Sequence, residues 1–491
     1  MQIPLSGGSY TAQNVVANVQ RCVNLYPESN SQGAQYPYTY YPTPGLTLIV
    51  APPLPGIYRC LYPASNGKLY GVIGGNVYYI NSSWEYTKLG EIDNLVTPVA
   101  MADNGNTIVV VDGTTSGYFI NMLTNVMVQI ADANFLGASR ADYLDTFLLF
   151  NQPGTKNFYS TLSNVTTFDP LYKAAKTGYP DDLISLIVVH REIWLLGRLT
   201  SEIWFNAGNP TFPFSIVQGV FLQFGCIAPY SVVRHGLEIF WLHQDKDGKA
   251  LVMMGVSYQA KTISTYAVEQ AIQTYAKIDD AIGMTYQIQG HVFYVLTFPS
   301  ADKTWVFDKE EALWHELAWI DNNGIEHRHR ANCMAFAYGK NLAGDWQNGN
   351  LYQVDPKNFT DNGDKVIRRR SFQTLGNESK RTQYKSFAAD MGVGEGAQLI
   401  SGSFNNDFND DFDILSDDQS DLQVFLRWSD DRGKTWSNPM GQTLGAKGEY
   451  SAIPAWNRLG MGRNRVFELF WSCATKTALN GANVEGLVLQ S

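Results

Sequence analysis

Short apolar runs alternate with turns rich in Gly, Asn or Asp over much of this chain. In one unit the two runs are residues 67–73 and 77–80, and Gly74, Gly75 and Asn76 supply the turn between them. Glycine adopts positive φ without steric cost, so a chain reversal is favoured at this point. The pattern therefore predicts antiparallel hairpins.

This unit recurs seven times between about residues 58 and 355. The first runs are roughly 39 to 53 residues apart, a spacing typical of propeller blades. Runs such as 108–111 and 147–150 lack polar alternation, as expected of strands that are covered on both faces. The centres of the seven first runs are Tyr70, Val109, Leu148, Leu196, Phe240, Phe293 and Ala335.

Two architectures accommodate the repeat: a ring of small sheets and an array of β-sandwiches. The repeat length favours the ring, so we predict an all-β fold with a β-propeller of six or seven blades. With 491 residues the chain exceeds the size at which one core usually keeps growing, and two or more domains are expected.

The regions on either side of the repeats have a different character. Residues 1–50 carry no sustained period but hold a cluster of Tyr and Pro, which predicts an extended N-terminal arm. We expect this arm to pack against the chain's own domain, and a partner-binding patch is the alternative. Strand patterns return at 423–428 and 465–471, after a polar stretch that begins near residue 356. We assign residues 51–371 to the propeller and 372–491 to a C-terminal, sandwich-like β domain.

One helix is predicted over residues 265–278, as an insertion between blades. Val268, Ala271, Ile272 and Tyr275 recur at helical spacing, and Ser264 or Thr265 can cap the N-terminus.

Composition narrows the class of protein. Aromatic residues make up 13% of the chain, which favours strands. The five cysteines are widely spaced and form no CxxC pair, so we interpret them as reduced core residues. A net charge of −10 argues against a protein that holds nucleic acid by neutralising phosphates. The sequence shows neither a secretory leader nor an apolar stretch of bilayer length, and we expect no membrane insertion.

One short motif is typical of sialidases, the Asp-box pattern SxDxGxTW. Its positions are Ser429, Asp431, Gly433, Thr435 and Trp436. The pattern predicts a structural hairpin in which the carboxylate accepts hydrogen bonds, the glycine permits the reversal and the Trp packs beneath. A single copy outside the repeats does not make a glycosidase active site.

Other candidate sites are weaker. Asp residues crowd 407–421, which we interpret as a solvated acidic loop, with calcium binding or repulsion of DNA as alternatives. His327 and His329 would share a strand face, the minimum for a metal, but a polar rim is favoured. The basic run 368–370 is interpreted as a solvated or interface edge. The sequence holds no nucleophile elbow or Walker motif, so no catalytic, cofactor or metal residue is predicted.

Several short strings, taken in order, carry a resemblance to a known family. They lie at residues 23–28, 43–46, 75–79, 157–159, 168–170, 192–196, 202–205, 291–299 and 304–308, and at Trp314. Their order resembles that of the packaged-DNA stabilisation protein of short-tailed phages, also called tail accessory factor, hub or nozzle.

The resemblance implies a virion protein. In that family six copies assemble below the portal and adaptor ring, continue the DNA channel, close the filled head and carry the tail needle or tailspikes. A rigid β module with an acidic inner wall suits this role, because it would repel phosphate and let duplex DNA slide. Heterologous contacts between copies suit rotational closure.

We therefore expect a non-enzymatic tail hub or nozzle subunit, a homohexamer that is assembled in the host cytoplasm and stabilises and conducts the genome. Its expected partners are the portal and adaptor proteins, a tail needle, tailspike or fibre proteins, and passing DNA. The alternative is a propeller glycosidase or carbohydrate-binding tail component, suggested by the Asp box and the many Trp and Tyr residues.

Overall fold

The computed structural model describes residues 2–3, 7–11, 19–93, 95, 97–321, 323–376, 380–392, 422–445 and 449–489. The acidic stretch 407–421 lies outside the described residues. The chain forms two compact units. The propeller unit holds residues 48–306 and 328–354, and the sandwich unit holds 1–47, 307–327 and 355–491.

Strands dominate both units. Before the repeats lie β1 Gln2–Ile3, β2 Tyr10–Thr11, β3 Val19–Gln20, β4 Cys22–Val23, β5 Leu25–Ser29, β6 Tyr38–Pro42 and β7 Gly45–Val50. Blade 1 is β8 Tyr58–Pro63, β9 Leu69–Ile73, β10 Asn76–Ile80 and β11 Tyr86–Glu91. Blade 2 is β12 Ala100–Asp103, β13 Thr107–Val111, β14 Gly117–Asn121 and β15 Met127–Gln129. Blade 3 is β16 Ala141–Leu144, β17 Phe147–Asn151, β18 Asn157–Thr161 and β19 Phe168–Ala175.

Blade 4 is β20 Leu183–Val189, β21 Glu192–Gly197, β22 Ser201–Asn206 and β23 Phe214–Leu222. Blade 5 is β24 Val233–His235, β25 Glu238–Gln244, β26 Ala250–Val256 and β27 Gln259–Thr262. Blade 6 is β28 Ile282–Ile288, β29 His291–Phe298 and β30 Lys303–Asp308. Three short strands follow, β31 Leu313–Glu316, β32 Ala318–Ile320 and β33 Glu326–Arg328. Blade 7 is β34 Ala331–Ala337, β35 Lys340–Asp345 and β36 Leu351–Asp355.

The remaining strands are β37 Thr360–Asp361, β38 Asp364–Lys365, β39 Arg368–Ser371, β40 Leu375–Gly376, β41 Thr382–Gly392, β42 Gln423–Ser429, β43 Met440–Thr443, β44 Ala455–Asn457, β45 Met461–Gly462, β46 Asn464–Trp471 and β47 Ala478–Val488.

Burial explains why the inner strands are uninterrupted apolar runs. Every residue of β9, β17 and β29 is buried, because neighbouring blades cover both faces of these strands. The outer strands β11 and β15 have no buried residue. Six of the seven predicted run centres lie on the second strand of a blade.

The blades close into a ring, which confirms the propeller and decides between the two architectures considered. The first strand of each blade contacts the first strand of the next, and β34 of blade 7 contacts β8 of blade 1. The sheet order places β7, from before blade 1, beside β36 as the fourth strand of blade 7. Ile49 and Val50 of β7 belong to the apolar cluster that holds Leu342 and Leu351.

Hydrogen bonds support the same closure. The Asn332 Nδ2 of blade 7 donates to the Tyr58 carbonyl oxygen of blade 1 over 2.7 Å. The Tyr338 hydroxyl donates to the Ile80 carbonyl oxygen at 2.7 Å and accepts from the Leu69 N–H at 3.1 Å. These contacts join the last blade to the first.

The predicted helix is present but shorter, α1 Tyr266–Gln273. It lies between blades 5 and 6, and the Thr265 side chain accepts from the Val268 N–H, as a cap does. The helix ends at Gln273, where the N–H groups of Thr274 and Tyr275 donate to carbonyl oxygens three residues back, those of Ala271 and Ile272. A 3₁₀ turn, Pro229–Ser231, precedes blade 5.

Most strands of the sandwich unit lie in two large sheets. One has the order β44, β41, β47, β6, β5, and in the other β31, β4, β39, β46, β42 and β43 follow one another. Its core includes the buried side chains of Leu25, Phe387, Trp456 and Phe467. Residues 22–42, which the sequence assigns to an arm, contribute strands to both sheets and place Tyr40 in this core.

Charged side chains form a ladder across one sheet of the sandwich unit. Arg21 binds Glu316 at 2.7 Å and Glu326 at 2.9 Å. Arg369 joins Glu326 to Glu468, and Arg427 binds Glu468 at 2.5 Å. Opposite charges on neighbouring strands stabilise the pairing.

The run 368–370 is not a solvated edge, and that interpretation is wrong. Arg368 and Arg370 are fully buried. Arg368 donates to the Cys473 carbonyl oxygen at 2.8 Å, and the Arg370 guanidinium lies 4.7 Å from the centre of the Tyr40 ring. Strand alternation puts only Arg369 on the charged face of the sheet.

Candidate functional site

The propeller unit has a cavity on its axis, of about 290 Å³. The first strand of every blade lines it, so ring closure itself creates the site. One lining residue from each blade, in chain order, is Leu61, Met101, Asp142, Ile187, Val233, Met284 and Met334.

Three arginines line this cavity, and their partners differ. Arg234 donates to Asp142 at 3.1 Å and to the Val188 carbonyl oxygen at 2.6 Å. Arg59 donates to the carbonyl oxygens of Thr97 at 2.7 Å and Gly74 at 2.8 Å. These contacts leave Arg234 paired with a carboxylate, whereas Arg59 mainly bridges backbone groups.

Arg140 is the third cavity arginine. Its Nη2 donates to the Val232 carbonyl oxygen at 2.9 Å, and its buried Nε has no hydrogen-bond partner in the described part of the chain. Arginine cannot lose its proton in a protein, so the cavity holds a permanent positive charge.

Burial acts on the titratable groups that line the cavity. Burial lowers the pKa of Arg59 and of Arg140 from the ordinary value, because the charged form loses hydration. Burial also raises the pKa of the Cys60 thiol and of Tyr230 to about 12, so both groups are neutral at pH 7. Asp142 is the carboxylate among the lining residues, and Arg234 already binds it.

The size of the cavity limits its function. A DNA duplex, whose major groove alone is about 12 Å wide, is far too large for it. The axis of one propeller can hold a small ligand but cannot be a path for the genome.

The Asp-box residues meet in one hairpin of the sandwich unit, directly after β42. Asp431 accepts hydrogen bonds from the Ser429 hydroxyl at 2.6 Å and from the Thr435 N–H at 2.8 Å. These bonds hold the pKa of Asp431 well below its usual range. Gly433 has a φ of 90°, a conformation that favours glycine.

The Trp of this motif lies against a cation. The Arg427 guanidinium is 4.6 Å from the centre of the Trp436 ring, within the range of a cation–π contact. All polar groups of the motif therefore serve the turn and its packing.

The two histidines do not form a site together. His327 stacks on Trp319 with ring centres 5.2 Å apart. His329 is buried, and its Nδ1 accepts from the Ala331 N–H at 3.2 Å. Among the described residues no group of three His, Cys, Asp or Glu side chains could hold a metal. The polar rim expected here is wrong for His329.

A buried polar cluster that sequence reasoning missed joins blades 3 and 4. The Lys176 ammonium is fully buried and donates to Asp181 and, at 2.6 Å, to the Thr200 hydroxyl. Glu202, also fully buried, accepts from the Thr177 N–H at 3.0 Å and from the Trp204 indole at 3.1 Å. Both buried charged groups are hydrogen-bonded, so the cluster holds the loop between blades 3 and 4 in place.

The cavity arginines were also missed. Arg59 and Arg140 are single basic residues at the start of apolar runs, and nothing local marks them as neighbours in space. A signal is their equivalent position near the first strand of two blades, where a charged residue is unexpected.

The geometry thus defines a seven-bladed β-propeller protein with an added β-sandwich unit. Two family models match: bacteriophage P22 Gp10, beta-propeller, over residues 1–358, and bacteriophage P22 Gp10, beta-sandwich, over residues 404–486. The chain belongs to this family, the packaged-DNA stabilisation or tail accessory family of short-tailed phages, and is a structural component of a phage tail. The resemblance found in the sequence is confirmed.

Several solved structures are similar to this chain at low identity. The N-terminal domain of Nup159 is 10% identical, with 68% of this chain and 98% of that chain covered and a TM-score of 0.38. The Cps50 (Swd1) propeller domain of Myceliophteria thermophila is 8% identical, with 63% and 99% covered and a TM-score of 0.40. The WD40 propeller domain of Doa1 is 8% identical, with 64% and 97% covered and a TM-score of 0.40.

No curated protein matches the chain. None of the helices in the described ranges has the length and apolar character needed to cross a bilayer.

Proposed function

We propose that this chain is the hub or nozzle subunit of a short-tailed phage tail, and that it acts without enzymatic activity. Six copies form a ring that continues the DNA channel below the portal and adaptor proteins, retains the packaged genome and conducts it during ejection. The ring also carries the tail needle and the tailspike or fibre proteins. Membership of the P22 Gp10 family is the observation that carries this proposal.

The cavity geometry supports one detail of this proposal. Since the axial cavity of a single propeller, about 290 Å³, is far too small for a duplex, we infer that the duplex passes between copies rather than through one of them. Each subunit then acts as a wall segment of the channel. A closed propeller suits this use, because close-packed apolar clusters bind each blade to its neighbour and resist deformation.

The net charge supports the conducting role. A chain of net charge −10 gains little from contact with phosphates, so DNA in such a channel is repelled weakly and moves without adhering.

Assembly is tested by mass measurement and negative-stain imaging of the purified chain, alone and with portal and adaptor proteins. We expect rings of six copies of the 54.8-kDa chain, either alone or on the portal complex. A chain that stays monomeric under both conditions contradicts the proposed ring.

DNA contact is tested by mobility shift with a duplex over a series of salt concentrations. We expect no complex at physiological salt and only weak retention at low salt. A tight complex whose affinity falls by several decades between 50 and 200 mM salt would indicate phosphate neutralisation, and the conducting role would then fail.

Freedom from enzymatic activity is tested with a panel of surface polysaccharides. We expect no release of reducing sugar. Turnover that is lost on substitution of Asp431 would instead support the glycosidase alternative.

A further inference from the structure

A buried amine and a buried carboxylate are held in contact in the loop between blades 3 and 4. The Lys176 ammonium donates to Asp181 Oδ1, and the two side chains are 0% and 5% exposed. Gly197 leaves room for the pair, since a Cβ at that position would lie 2.6 Å from Asp181 Oδ2. Bulk water therefore has little access to the two groups.

The two oxygens of the Asp181 carboxylate have different surroundings. Oδ2 accepts from the Leu199 N–H at 2.7 Å and from the Thr200 N–H at 3.0 Å. Two backbone N–H groups on one carboxyl oxygen form an oxyanion hole, which stabilises the negative charge that develops when a nucleophile adds to the carboxyl carbon. Oδ1, the oxygen that contacts the amine, is then the one placed to leave.

The Thr200 hydroxyl touches both partners of the pair. It lies 2.6 Å from Lys176 Nζ and 3.0 Å from Asp181 Oδ1. A hydroxyl both accepts and donates, so it can take a proton from Nζ while it gives its own to Oδ1. This is the geometry of a proton shuttle between an attacking amine and a leaving oxygen.

Glu202 fixes the segment between the two partners. It is fully buried and accepts from the N–H groups of Thr177, at 3.0 Å, and of Gly178. These bonds restrain the backbone between Lys176 and Asp181, so the amine and the carboxylate are held in one arrangement. Glu202 is a positioning residue in this cluster.

We propose that Lys176 and Asp181 condense to an isopeptide bond inside the folded propeller unit. Nζ adds to Cγ of Asp181, the Cγ–Oδ1 bond breaks, and Oδ1 leaves as water with two of the three protons of the ammonium group. Thr200 carries one of these protons, and the step needs no oxidant or reductant. Oδ2 becomes the amide oxygen and keeps its two N–H partners. The bond links the end of blade 3 to the start of blade 4, and this inference is independent of the proposed tail function.

The reaction starts from the ion pair. Burial raises the pKa of the Asp181 carboxyl, but hydrogen bonds from Lys176 and from two backbone N–H groups outweigh it and leave this pKa below its ordinary value. A proton has to move from Nζ to Oδ1 before attack, so we expect the bond to form slowly after folding. Burial favours the product, because a neutral amide replaces two charges in a site of low dielectric constant.

The test is mass spectrometry of the full chain from a cell-free synthesis, divided into a portion that folds and a portion transferred at once to urea. We expect the folded portion to lose the mass of one water molecule with first-order kinetics, and the portion in urea to keep its full mass. The deficit should persist when the folded chain is later denatured, because a covalent bond survives unfolding. Trypsin does not cleave after an acylated lysine, so residues 174–191 should appear as one peptide instead of two.

Substitutions separate the reacting groups from the fold. Lys176→Met cannot form the amide and should keep its full mass. Thr200→Val removes the hydroxyl but keeps the shape of the side chain, and should slow bond formation by about a hundredfold or more. Thr200→Ser restores the hydroxyl and should recover most of the rate. Lys173→Arg, at an exposed position on the same strand, is the matched control and should react like the wild type.

Tryptophan fluorescence establishes that each chain is folded before its mass is compared. Full mass in the folded wild type after prolonged incubation overturns the proposal. A mass deficit with normal cleavage after Lys176 also overturns it, because an aspartate that closes to a succinimide loses water without consuming the lysine amine. Equal rates in Thr200→Val and the wild type would overturn the proposed proton path.

Discussion

Individual buried charges in this protein are held by specific partners, and the Lys176 cluster is the clearest case. Lys176 is fully buried, and Asp181 is its counter-charge in the loop that joins blades 3 and 4. Removing one member of a buried pair is costly, because the other charge stays in a low-dielectric site.

Asp181→Asn should therefore lower the free energy of unfolding by about 3 to 5 kcal/mol. The measurement is chemical denaturation followed by tryptophan fluorescence at pH 7. Asp182→Asn, at the exposed neighbouring position, is the control and should change stability by less than about 0.5 kcal/mol. Equal effects of the two substitutions would mean that the Lys176 contact contributes little.

The buried imidazole of His329 predicts acid sensitivity. Burial, aided by the charge of Arg330, lowers the pKa of His329 to about 4. Between about pH 6.5 and pH 4 the unfolded chain binds a proton that the folded chain excludes, so stability falls as the pH falls through this window. Across this window the free energy of unfolding should fall by roughly 3 kcal/mol.

His329→Asn should flatten this acid dependence, since its amide oxygen can still accept from the Ala331 N–H but does not titrate. Unfolding free energies at pH 7 and pH 4 provide the measurement. His190→Asn is the control, because the His190 side chain is 72% exposed, and it should retain the wild-type dependence.

Hairpins and blades form the next scale, and the Asp-box turn shows how one carboxylate organises an element. Asp431 accepts from two hydroxyl groups and from the Thr435 N–H. Its position on the surface means that the turn, rather than the core, depends on it.

Asp431→Ala should loosen this hairpin locally. Hydrogen exchange should become faster at the amides of Gly433 and Thr435, while the blades keep their protection. The exposed Lys434→Ala is the control and should leave exchange unchanged. Unchanged exchange in Asp431→Ala would show that the backbone alone sets the turn.

Closure of the ring depends on a contact between blade 7 and blade 1 at Tyr338. Tyr338→Phe leaves the Leu69 N–H and the Ile80 carbonyl oxygen without this partner, so we expect a loss of about 1 to 2 kcal/mol of stability. Denaturant unfolding measures it. Tyr258→Phe, which removes a hydroxyl from an exposed hairpin, is the control and should be nearly neutral.

At the scale of the whole molecule, local pattern predicts the units but not their long-range partners. Apolar runs and glycine turns located the second strand in blades 1 to 6, because each blade is a sequential meander. The pairing of β6 with β47 and the place of β7 in blade 7 join residues hundreds of positions apart, which no local period encodes.

Local sequence pattern likewise does not predict the candidate site. Arg59 and Arg140 become neighbours of one cavity only when the ring closes, so the sequence shows two unremarkable basic residues. The Asp-box hairpin, by contrast, lies within eight consecutive residues, and its sequence pattern predicts which residues meet.

The pairing of β7 with β36 in blade 7 has a consequence for biosynthesis. The ribosome makes about 300 further residues after β7 before β36 is complete, which takes roughly 15 to 60 s at 5 to 20 residues per second. During that interval the nascent ring stays open, with an unpaired strand at its start. Chaperone occupancy and premature association between neighbouring chains should therefore be greatest before residue 355 leaves the ribosome.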